Sequence, residues 1–432
     1  MKIDNPTYLY ASYFYTINNK KIYKMKNFEI HTLGCKLNFS ESSAIAAELE
    51  KRGWSQGGVP EIIIVNTCAV TGAAEKKTRN LVSKLHRENP LAAIMLIGCY
   101  STLKPELLER WAGVDKVFGS SNKMSVVDYV VSREIKPSPN FFATYSINDR
   151  TRSFLKIQDG CNTHCTYCTV WIARGKSRSD TIEGVLKNIK EIADQGVHEV
   201  NLTGVNIGDF GRGTNEDFTK LLKAIVKQKA IERVRISSLE PELLTDDIIK
   251  LVAKNDILMP HFHLPLQSGC DRILSEMRRR YTTAQYAEKV QKIKKLMPDA
   301  CIACDVITGF PGETDEEFEE TYNFLSEQPL SYMHVFSYSR RPRTAANIME
   351  NQISEDVKDE RTQRLIALSN EKKRAFYEQC AGQERPVLVE SQVSDDMLSG
   401  FTDNYIRVQV PYSEDIINTI QTITVDPCRT VL

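Results

Sequence analysis

Three short aliphatic segments in the first third of the chain recur about every 30 residues, the size of a strand–helix–strand unit. They span residues 28–34, 62–67 and 93–98, and they lack the alternation of a half-exposed strand. Unbroken apolar runs of this kind are typical of strands buried on both faces. Amphipathic stretches at residues 40–52 and 71–88 predict helices between them. The pattern therefore predicts a parallel α/β sheet with right-handed crossovers.

Each of these predicted strands ends at a cysteine, namely Cys35, Cys68 and Cys99. Parallel strands bring their carboxyl ends to one edge, where open α/β sheets bind ligands. Any one of these cysteines alone could be a small core residue. Three at equivalent positions on successive strands predict a shared metal site, which we interpret as an iron–sulfur cluster with one iron left open.

A second set of cysteines, Cys161, Cys165 and Cys168, has the spacing C-x3-C-x2-C on one short loop. Three thiolates in this arrangement bind three irons of a four-iron cluster and leave the fourth iron free for another ligand. The alternative is a structural zinc site completed by His164. Zinc usually takes four ligands from paired C-x2-C units, and adjacent residues on one loop rarely close a tetrahedron. The spacing therefore favours iron.

Length, charge and cysteine usage limit the remaining possibilities. The chain has 432 residues, enough for two or three domains, and eleven cysteines without a secretory signal, which predicts reduced thiols and a cytoplasmic location. No apolar run reaches the ~20 residues that span a membrane. Because the formal net charge is zero, RNA binding would depend on local basic groups. Three such groups are Lys76-Lys77-Arg79, Arg278-Arg279-Arg280 and Arg340-Arg341-Arg343.

The middle of the chain predicts six further strand–helix units. The strands are expected at residues 154–158, 199–203, 233–237, 261–266, 301–307 and 333–338. Six such units after a cluster loop predict a partial (β/α)6 barrel that binds ligands at the carboxyl ends of its strands. His261, His263 and Gln267 are expected to line a substrate cavity there. The other five cysteines are expected to be core or surface thiols: Cys270, Cys301, Cys304, Cys380 and Cys428.

The end of the chain changes in composition. Residues 354–379 predict a long charged helix, and residues 385–390, 405–410 and 420–425 predict short antiparallel strands. Such strands form small β-barrels that bind RNA, or a simple capping module. The result is an α/β multidomain protein with expected boundaries at 1–24 (a disordered extension, or a start codon assigned too early), 25–145 (parallel α/β sheet), 146–380 (barrel) and 381–432 (small antiparallel β-barrel).

From residue 26 onward the chain resembles the methylthiotransferase family of radical S-adenosylmethionine (SAM) enzymes. The resemblance rests on the three-cysteine loop, with aromatic Tyr167 before its last cysteine, and on further motifs. These are residues 32–38 (TLGCKLN), 66–71 (NTCAVT), 98–100 (GCY), 174–175 with 178–179, 263–269 (HLPLQSG) and 309–314 (GFPGET). Residues 400–405 (GFTDNY) resemble the family's TRAM domain. Two departures are Trp171, where the family usually has proline, and an early end of the TRAM segment.

The resemblance implies two [4Fe-4S] clusters and S-adenosyl-L-methionine as cofactors. The cluster on Cys161, Cys165 and Cys168 would reduce SAM to give a 5′-deoxyadenosyl radical, and the cluster on Cys35, Cys68 and Cys99 would carry the sulfur. Side chains and turns near the carboxyl ends of the barrel strands would contact SAM. The candidates are Tyr167, Thr203, Gly204, Asn206, Ser237, Gln267, Ile307 and Gly309.

The implied reaction replaces hydrogen at C2 of a modified adenosine in the tRNA anticodon loop, with electrons from a reductant protein. The turn at 202–208 (LTGVNIG) and residues 35–38 (CKLN) resemble the branch that acts on threonylcarbamoyl-adenosine. A basic residue should pair its carboxylate, the candidates being Arg174, Arg278 and Arg340. The alternatives are isopentenyl-adenosine in tRNA, a ribosomal protein substrate, and a non-catalytic zinc-bearing RNA-binding protein.

Overall fold

The computed structural model describes residues 26–69, 71–136, 141–146 and 151–430. The predicted extension at residues 1–24 lies outside the described residues. Within the described ranges, none of the helices combines the length and the apolar character that a membrane crossing requires.

The first domain of the described chain is a five-stranded parallel sheet in the order β2-β1-β3-β4-β5. Its strands are β1 (Lys26–Thr32), β2 (Trp54–Gln56), β3 (Ile62–Thr67), β4 (Ala93–Gly98) and β5 (Val114–Gly119). The helices are α1 (Lys36–Lys51), α2 (Gly72–Glu88), α3 (Cys99–Leu103), α4 (Pro105–Leu108) and α5 (Ser125–Ser132). Apolar cores lie on both faces of the sheet, which explains why β3 and β4 are almost wholly buried. The parallel sheet predicted from the sequence is confirmed.

The second domain is an open barrel of six parallel strands within the described residues. The strands of this domain are β6 (Thr144–Tyr145), β7 (Arg152–Lys156), β8 (Gln158–Asp159), β9 (Arg178–Ser179), β10 (Glu199–Thr203), β11 (Arg233–Ile236), β12 (His261–His263), β13 (Cys301–Thr308) and β14 (Tyr332–Ser337). Two sheets, β11-β10-β7-β6 and β12-β13-β14, meet at parallel bridges between β11 and the segment around β12. The six parallel strands β7 and β10 to β14 match the predicted positions within a few residues, so the partial (β/α)6 barrel is confirmed.

The helices of the barrel domain lie between its strands in the sequence and cover the apolar core. They are α6 (Val170–Arg174), α7 (Ile182–Ala193), α8 (Phe218–Gln228), α9 (Asp246–Ala253), α10 (Asp271–Glu276), α11 (Thr283–Leu296) and α12 (Asp315–Glu327). Five of them, α7, α8, α9, α11 and α12, begin at a threonine or aspartate whose side chain accepts a backbone N–H of the first turn. Such N-caps satisfy donors that the helix itself leaves unpaired.

The chain ends with helix α13 (Glu355–Gln379) and a four-stranded antiparallel sheet in the described residues. Its strands are β15 (Glu384–Ser394), β16 (Met397–Thr402), β17 (Arg407–Pro411) and β18 (Ile420–Thr424), in the order β17-β16-β15-β18. Strand β16 was not predicted from the sequence. In the sheet, Gly400 lies where a Cβ atom would come within 2.5 Å of the Leu388 carbonyl oxygen, so glycine permits the close pairing of β15 and β16.

Buried arginines attach this last sheet to the barrel. Arg235 on β11 donates to the carbonyl oxygens of Thr402 at 2.6 Å and Asp403 at 2.8 Å. Glu199 on β10 accepts from Arg235 at 2.8 Å. Burial raises the pKa of Glu199, but the neighbouring Arg235 and Arg233 outweigh this effect and lower the pKa to about 2. The C-terminal sheet is therefore fixed against the barrel by a charged, hydrogen-bonded contact.

Candidate active site between two cysteine sets

The loop that carries Cys161, Cys165 and Cys168 joins β8 to α6 and is closed on itself. The Cys161 N–H donates to the Gly175 carbonyl at 3.0 Å, and the Cys168 N–H donates to the Cys165 carbonyl at 3.1 Å. Gly160, with φ of 73°, lets the chain enter this loop, since a Cβ there would lie 2.1 Å from the Lys176 carbonyl oxygen. The three sulfurs are thereby held on one compact turn.

Each of the three sulfurs in this loop accepts an N–H donor. The Thr163 N–H donates to Cys161 Sγ, the Val170 N–H to Cys168 Sγ, and Arg279 Nη1 to Cys165 Sγ, all at 3.3 Å. Burial raises the pKa of all three thiols, that of Cys168 to about 12. In the absence of metal, such thiols stay protonated because burial disfavours the thiolate. Bound iron would supply the positive charge that stabilises the thiolates, and the N–H donors would support them. The donor set therefore fits a four-iron cluster with one open iron.

Arg279 is a part of this site that sequence reasoning assigned differently. It was grouped with Arg278 and Arg280 as a basic surface triplet, but only 3% of its side chain is exposed and it forms an ion pair with Glu240. Arg278 and Arg280 are exposed. The sequence carries no signal that separates the middle arginine from its neighbours, because the turn after α10 decides which side chain points inward.

Trp171 was noted as a departure from the family pattern near the cysteine loop. Its ring lies 4.6 Å from the imidazole of His164, centroid to centroid, in a tilted arrangement. The contact joins the first turn of α6 to the centre of the loop. Trp171 therefore packs against the imidazole at the centre of the loop.

The second cysteine set lies at the carboxyl edge of the N-terminal sheet. Cys35 is the N-cap of α1, Cys68 follows β3 and Cys99 is the first residue of α3. Strands β1, β3 and β4 are adjacent, so the three cysteines lie at one edge. Gly34 has φ of 103°, and a Cβ there would lie 2.8 Å from Cys68 Cβ. The structure thus brings together the three cysteines that the sequence placed in one site, and their thiol donors suit iron.

Arg174 on α6 links the two cysteine sets. It donates to Asn38 Oδ1 at 2.7 Å and Glu41 Oε1 at 3.1 Å on α1, and to Asp159 Oδ1 at 2.9 Å before the cysteine loop. Burial lowers the pKa of Arg174. Nearby negative groups, above all Glu41 and then the sulfur of Cys99, outweigh burial and raise this pKa well above its usual value. Arg174 is therefore committed to the interface of the two domains, and it cannot serve as the free cation proposed from the sequence.

Two buried lysines complete this network. Lys123 pairs with Glu41, and Lys156 lies 3.0 Å from Glu41 and 3.1 Å from Asp159. Burial alone would raise both acidic pKa values. The cations prevail, so that the pKa of Glu41 is well below its usual value and that of Asp159 is about 2. Because both carboxylates stay ionised, the network joins the domains by fully charged pairs.

Two cavities open beside the cysteine sets. The first, which we call the loop cavity, has a volume of about 250 Å³ and is lined by residues that include Tyr167, Cys168, Gln267 and Ile307. The second, the Cys35 cavity, has a volume of about 460 Å³. Its lining comes from all three parts of the chain: Cys35 and Lys36, Thr203, Gly204, Ser237, His261 and His263, and Tyr405.

The two cavities meet at one side-chain pair. Asp305 lines the loop cavity and His263 lines the Cys35 cavity. His263 Nε2 lies 3.0 Å from Asp305 Oδ1. Together with His334 these side chains have ligand atoms within 4.8 Å of one another. This hydrogen-bonded polar pair therefore lies between the loop cavity and the Cys35 cavity.

The residues predicted to contact SAM divide between these places. Tyr167, Gln267 and Ile307 line the loop cavity, whereas Thr203, Gly204 and Ser237 line the Cys35 cavity. Within the part of the chain described, Asn206 and Gly309 line neither. The Asn206 N–H donates to Gln158 Oε1 at 2.8 Å, and the Gly309 N–H donates to Glu313 Oε2 at 2.7 Å. Both glycine-rich turns are thus held by buried side chains behind the cavities.

Other predicted residues have simpler environments. Cys270, Cys301, Cys304 and Cys380 are buried and Cys428 is exposed, as expected for thiols outside the clusters. Lys76, Lys77 and Arg79 are exposed on α2. Arg341 is buried and forms an ion pair with Glu75 on α2. Of the Arg340-Arg341-Arg343 group, only Arg340 and Arg343 are on the surface.

Comparison with known proteins bears on this arrangement. Residues 155–325 match the profile described as the radical SAM superfamily, and residues 27–119 match that of an uncharacterized protein family, UPF0004. A Bacillus subtilis (strain 168) protein named threonylcarbamoyladenosine tRNA methylthiotransferase MtaB is 37% identical over 92% of this chain and 93% of its own. A Clostridium perfringens protein named tRNA-2-methylthio-N(6)-dimethylallyladenosine synthase is 34% identical over 91% of this chain and 94% of its own.

A solved structure shares the fold. The radical S-adenosylmethionine methyltransferase TsrM from Kitasatospora setae, solved with cobalamin and a [4Fe-4S] cluster bound, aligns with a TM-score of 0.56. The alignment covers 75% of this chain and 77% of TsrM at 13% identity. At that identity the likeness concerns the fold alone, and it leaves the substrate open.

Proposed function

Because this chain belongs to the radical SAM methylthiotransferase family, we propose that it adds a methylthio group to C2 of N6-threonylcarbamoyl-adenosine beside the anticodon of tRNA. As a member of that family it is a transferase that uses S-adenosylmethionine and [4Fe-4S] clusters. The observation that carries the proposal is the Cys35 cavity, which is lined by Cys35 of one cysteine set, by residues of the barrel and by Tyr405 of the C-terminal part.

The cysteines divide into two roles in this proposal. Cys161, Cys165 and Cys168 hold the cluster that binds SAM, and Cys35, Cys68 and Cys99 hold the cluster that carries sulfur. When bound, the first cluster and SAM supply one-electron chemistry strong enough to break an unactivated C–H bond. The protein's part is to hold the sulfurs on one compact turn and to orient Cys165, whose sulfur accepts an N–H from Arg279.

The cavity walls have distinct tasks. Tyr167, Gln267 and Ile307 hold the adenosyl part of SAM in the loop cavity. Thr203, Gly204 and Ser237 form the wall that SAM shares with the substrate, while the turns at Asn206 and Gly309 set the backbone shape behind it. The pair of His263 and Asp305 would stand between SAM and the substrate. For the residues that line a cavity, the assignment follows from which cavity each one lines.

The substrate enters from the outside of the Cys35 cavity. A volume of about 460 Å³ is in the range of small-molecule sites, so a single modified nucleoside fits after it is splayed out of the anticodon loop. The C-terminal sheet is the TRAM-like RNA-binding domain in this scheme. Its Tyr405 lies against His261 with ring centroids 4.3 Å apart, which puts the sheet at the rim of the cavity.

The setting of the reaction follows from its chemistry. Cysteine thiolates that hold reduced clusters need a reducing compartment, so the protein would work in the cytoplasm, with a reductant protein as the electron donor. Exposed Lys76, Lys77 and Arg79 on α2 provide phosphate contacts for the tRNA.

Three tRNA samples test this proposal. The reconstituted protein is incubated anaerobically with SAM, a reductant and tRNA bearing threonylcarbamoyl-adenosine, isopentenyl-adenosine or unmodified adenosine. Nucleoside mass spectrometry should show the methylthio product with the first tRNA and little with the others, with Cys161→Ala as the inactive control. Equal or better turnover of the isopentenyl-adenosine tRNA would overturn the substrate assignment. Zinc without iron in the purified protein would overturn the enzymatic function.

A further inference from the structure

The walls of the Cys35 cavity carry more positive than negative charge. Arg152, Arg233 and Arg235 do not line the cavity, and all three approach the single carboxylate of Glu199 within 4.0 Å. Arg152 also pairs with Glu390. These arginines therefore have internal partners and hold the wall together. Among the described residues that line the cavity, Lys36 is the one lysine or arginine and none is an aspartate or glutamate, which favours an anionic ligand group.

Lys36 is the cation of this cavity that lacks an internal partner among the described residues. It follows Cys35 at the first turn of α1 and lines the cavity. Its Nζ lies 5.9 Å from the centroid of the Phe154 ring, an aromatic contact that leaves its charge uncompensated. No carboxylate of the described chain lies within 4.0 Å of it. A partly enclosed ammonium group in this condition is a site for a ligand anion.

Polar atoms without partners surround the same space. Ser237 Oγ and both ring nitrogens of His261 are buried and make no hydrogen bond within the described structure. Both residues line the Cys35 cavity. A buried hydroxyl or imidazole that stays unpaired costs free energy, so these atoms are available to a polar ligand. A cation, a hydroxyl and an imidazole together match a ligand with a carboxylate and further polar groups.

We propose that Lys36 pairs the threonyl carboxylate of the modified adenosine and so determines which tRNA nucleoside the enzyme accepts. This inference rests on the function proposed above, and names the residue that reads its substrate. The carboxylate would reach Lys36 beside Cys35, and Ser237 and His261 would face the other polar atoms of the threonylcarbamoyl group. An apolar substituent at the same position would leave the ammonium group and these atoms unpaired.

The cations considered from the sequence do not fill this role. Arg174 is engaged by Asn38, Glu41 and Asp159. Arg340 is exposed and donates to the Asn347 carbonyl at 2.8 Å. Arg278 is exposed as well, and neither it nor Arg340 lines the Cys35 cavity in the described residues.

Binding of two matched RNAs tests the role of Lys36. One is an anticodon stem-loop with threonylcarbamoyl-adenosine, and the other is the same RNA with the threonyl carboxylate replaced by its neutral amide. Fluorescence anisotropy gives Kd for both RNAs with the anaerobically reconstituted protein. The wild type should bind the acid about 10- to 100-fold more tightly than the amide, as expected for a hydrogen bond to a charged group.

Variants separate the carboxylate contact from general attraction to RNA. Lys36→Gln should bring the ratio of the two Kd values close to one, and Lys36→Arg should preserve most of it. Arg340→Gln removes one exposed charge elsewhere on the surface. It should weaken the binding of both RNAs equally and leave the ratio of their Kd values unchanged. Because the ratio is measured within each variant, a general loss of binding cancels. Lys36→Met provides a second neutral replacement if Lys36→Gln folds poorly.

The outcomes distinguish this inference from the proposed function. A wild type that binds acid and amide equally, or a Lys36→Gln protein that keeps the full ratio, would overturn the assignment of Lys36. In either case the wild type would still methylthiolate tRNA with threonylcarbamoyl-adenosine. If the wild type did not methylthiolate that tRNA but did methylthiolate the isopentenyl-adenosine form, the proposed substrate itself would be wrong.

Discussion

The Arg279 side chain shows how one residue outside the cysteine loop governs a cluster ligand. It donates to Cys165 Sγ at 3.3 Å and pairs with Glu240 in a nearly buried position. Hydrogen bonds to ligand sulfurs tune cluster potentials and hold the ligand in place. We therefore expect Arg279 to act on the reaction through Cys165.

Replacement of Arg279 should slow the first chemical step. Arg279→Gln removes the charge near Cys165 and leaves the Glu240 carboxylate without its cation. We expect the rate of 5′-deoxyadenosine formation to fall about 10- to 100-fold, the usual effect of losing a group that supports a metal ligand. Liquid chromatography of the nucleoside product measures it. Arg280→Gln on the adjacent exposed residue should keep the wild-type rate, and an unchanged rate in Arg279→Gln would refute this role.

Single residues also limit what the sequence could reveal. All six cysteines proposed as cluster ligands were selected from spacing and from strand ends, since both are properties of the sequence itself. Arg174, Glu41 and Asp159 are charged residues whose burial depends on the docking of two domains. Nothing local to them separates a buried ion pair from a solvated one. For the same reason, Lys36 emerged only when its lack of a partner could be seen.

At the scale of elements, the turn between β1 and α1 determines where Cys35 lies. Gly34 occupies a left-handed conformation with φ of 103°, and its missing side chain leaves room for Cys68. The strand, the turn and the helix N-terminus thus act as one unit that presents Cys35 at the sheet edge. The sequence predicted the strand and its cysteine, but it placed the helix start at Ser40, four residues later than Lys36.

A substitution in this turn should remove one cluster and spare the other. Gly34→Ala forces a Cβ to within 2.8 Å of Cys68 Cβ, so the N-terminal cysteines can no longer approach one another. Iron in the reconstituted protein should fall from about eight to about four per chain. Gly57→Ala is a matched control, because Gly57 has φ of 97° but no atom within 4 Å of the added Cβ. Retention of all iron in Gly34→Ala would contradict the proposed geometry.

At the scale of the whole molecule, the buried charges around Glu41 hold the N-terminal domain on the barrel. Glu41→Gln would leave Lys123, Lys156 and Arg174 short of a counter-charge. The free energy of unfolding should fall by about 3–5 kcal/mol, as for other broken buried pairs. Urea denaturation measures the change. Glu48→Gln on the same helix breaks exposed pairs with Lys51 and Arg52 and should cost no more than ~1 kcal/mol. Equal effects of the two variants would count against the network.

The same network predicts a dependence on pH. The folded-state pKa of Asp159 is about 2, below the ~4 of an unfolded chain. Because the folded value is lower, the ionised carboxylate stabilises the protein fully above pH ~4 and loses this effect as pH falls through about 2. The destabilisation caused by Asp159→Asn should therefore be large near neutral pH and shrink progressively in acid. Urea midpoints of both proteins across this range measure it, and a constant difference would exclude the mechanism.

The fold of each domain could be predicted well from the sequence. The shape of the candidate site could be predicted least. Parallel strands, barrel and C-terminal sheet followed from periodicity, because burial patterns along each element are local. Both cavities, in contrast, are shaped by residues far apart in the chain, such as Lys36, His261 and Tyr405. Their meeting depends on how the domains dock, which no local pattern encodes.

A division of labour between the two cysteine sets is the central claim, and one pair of variants tests it directly. Reconstituted Cys68→Ala and Cys161→Ala proteins are each incubated with SAM, a reductant and tRNA bearing threonylcarbamoyl-adenosine, and both 5′-deoxyadenosine and the methylthiolated nucleoside are measured by mass spectrometry. Cys68→Ala should still form 5′-deoxyadenosine but no methylthio product, whereas Cys161→Ala should form neither. A folded Cys68→Ala protein that makes the methylthio product, or that no longer cleaves SAM, would contradict the account.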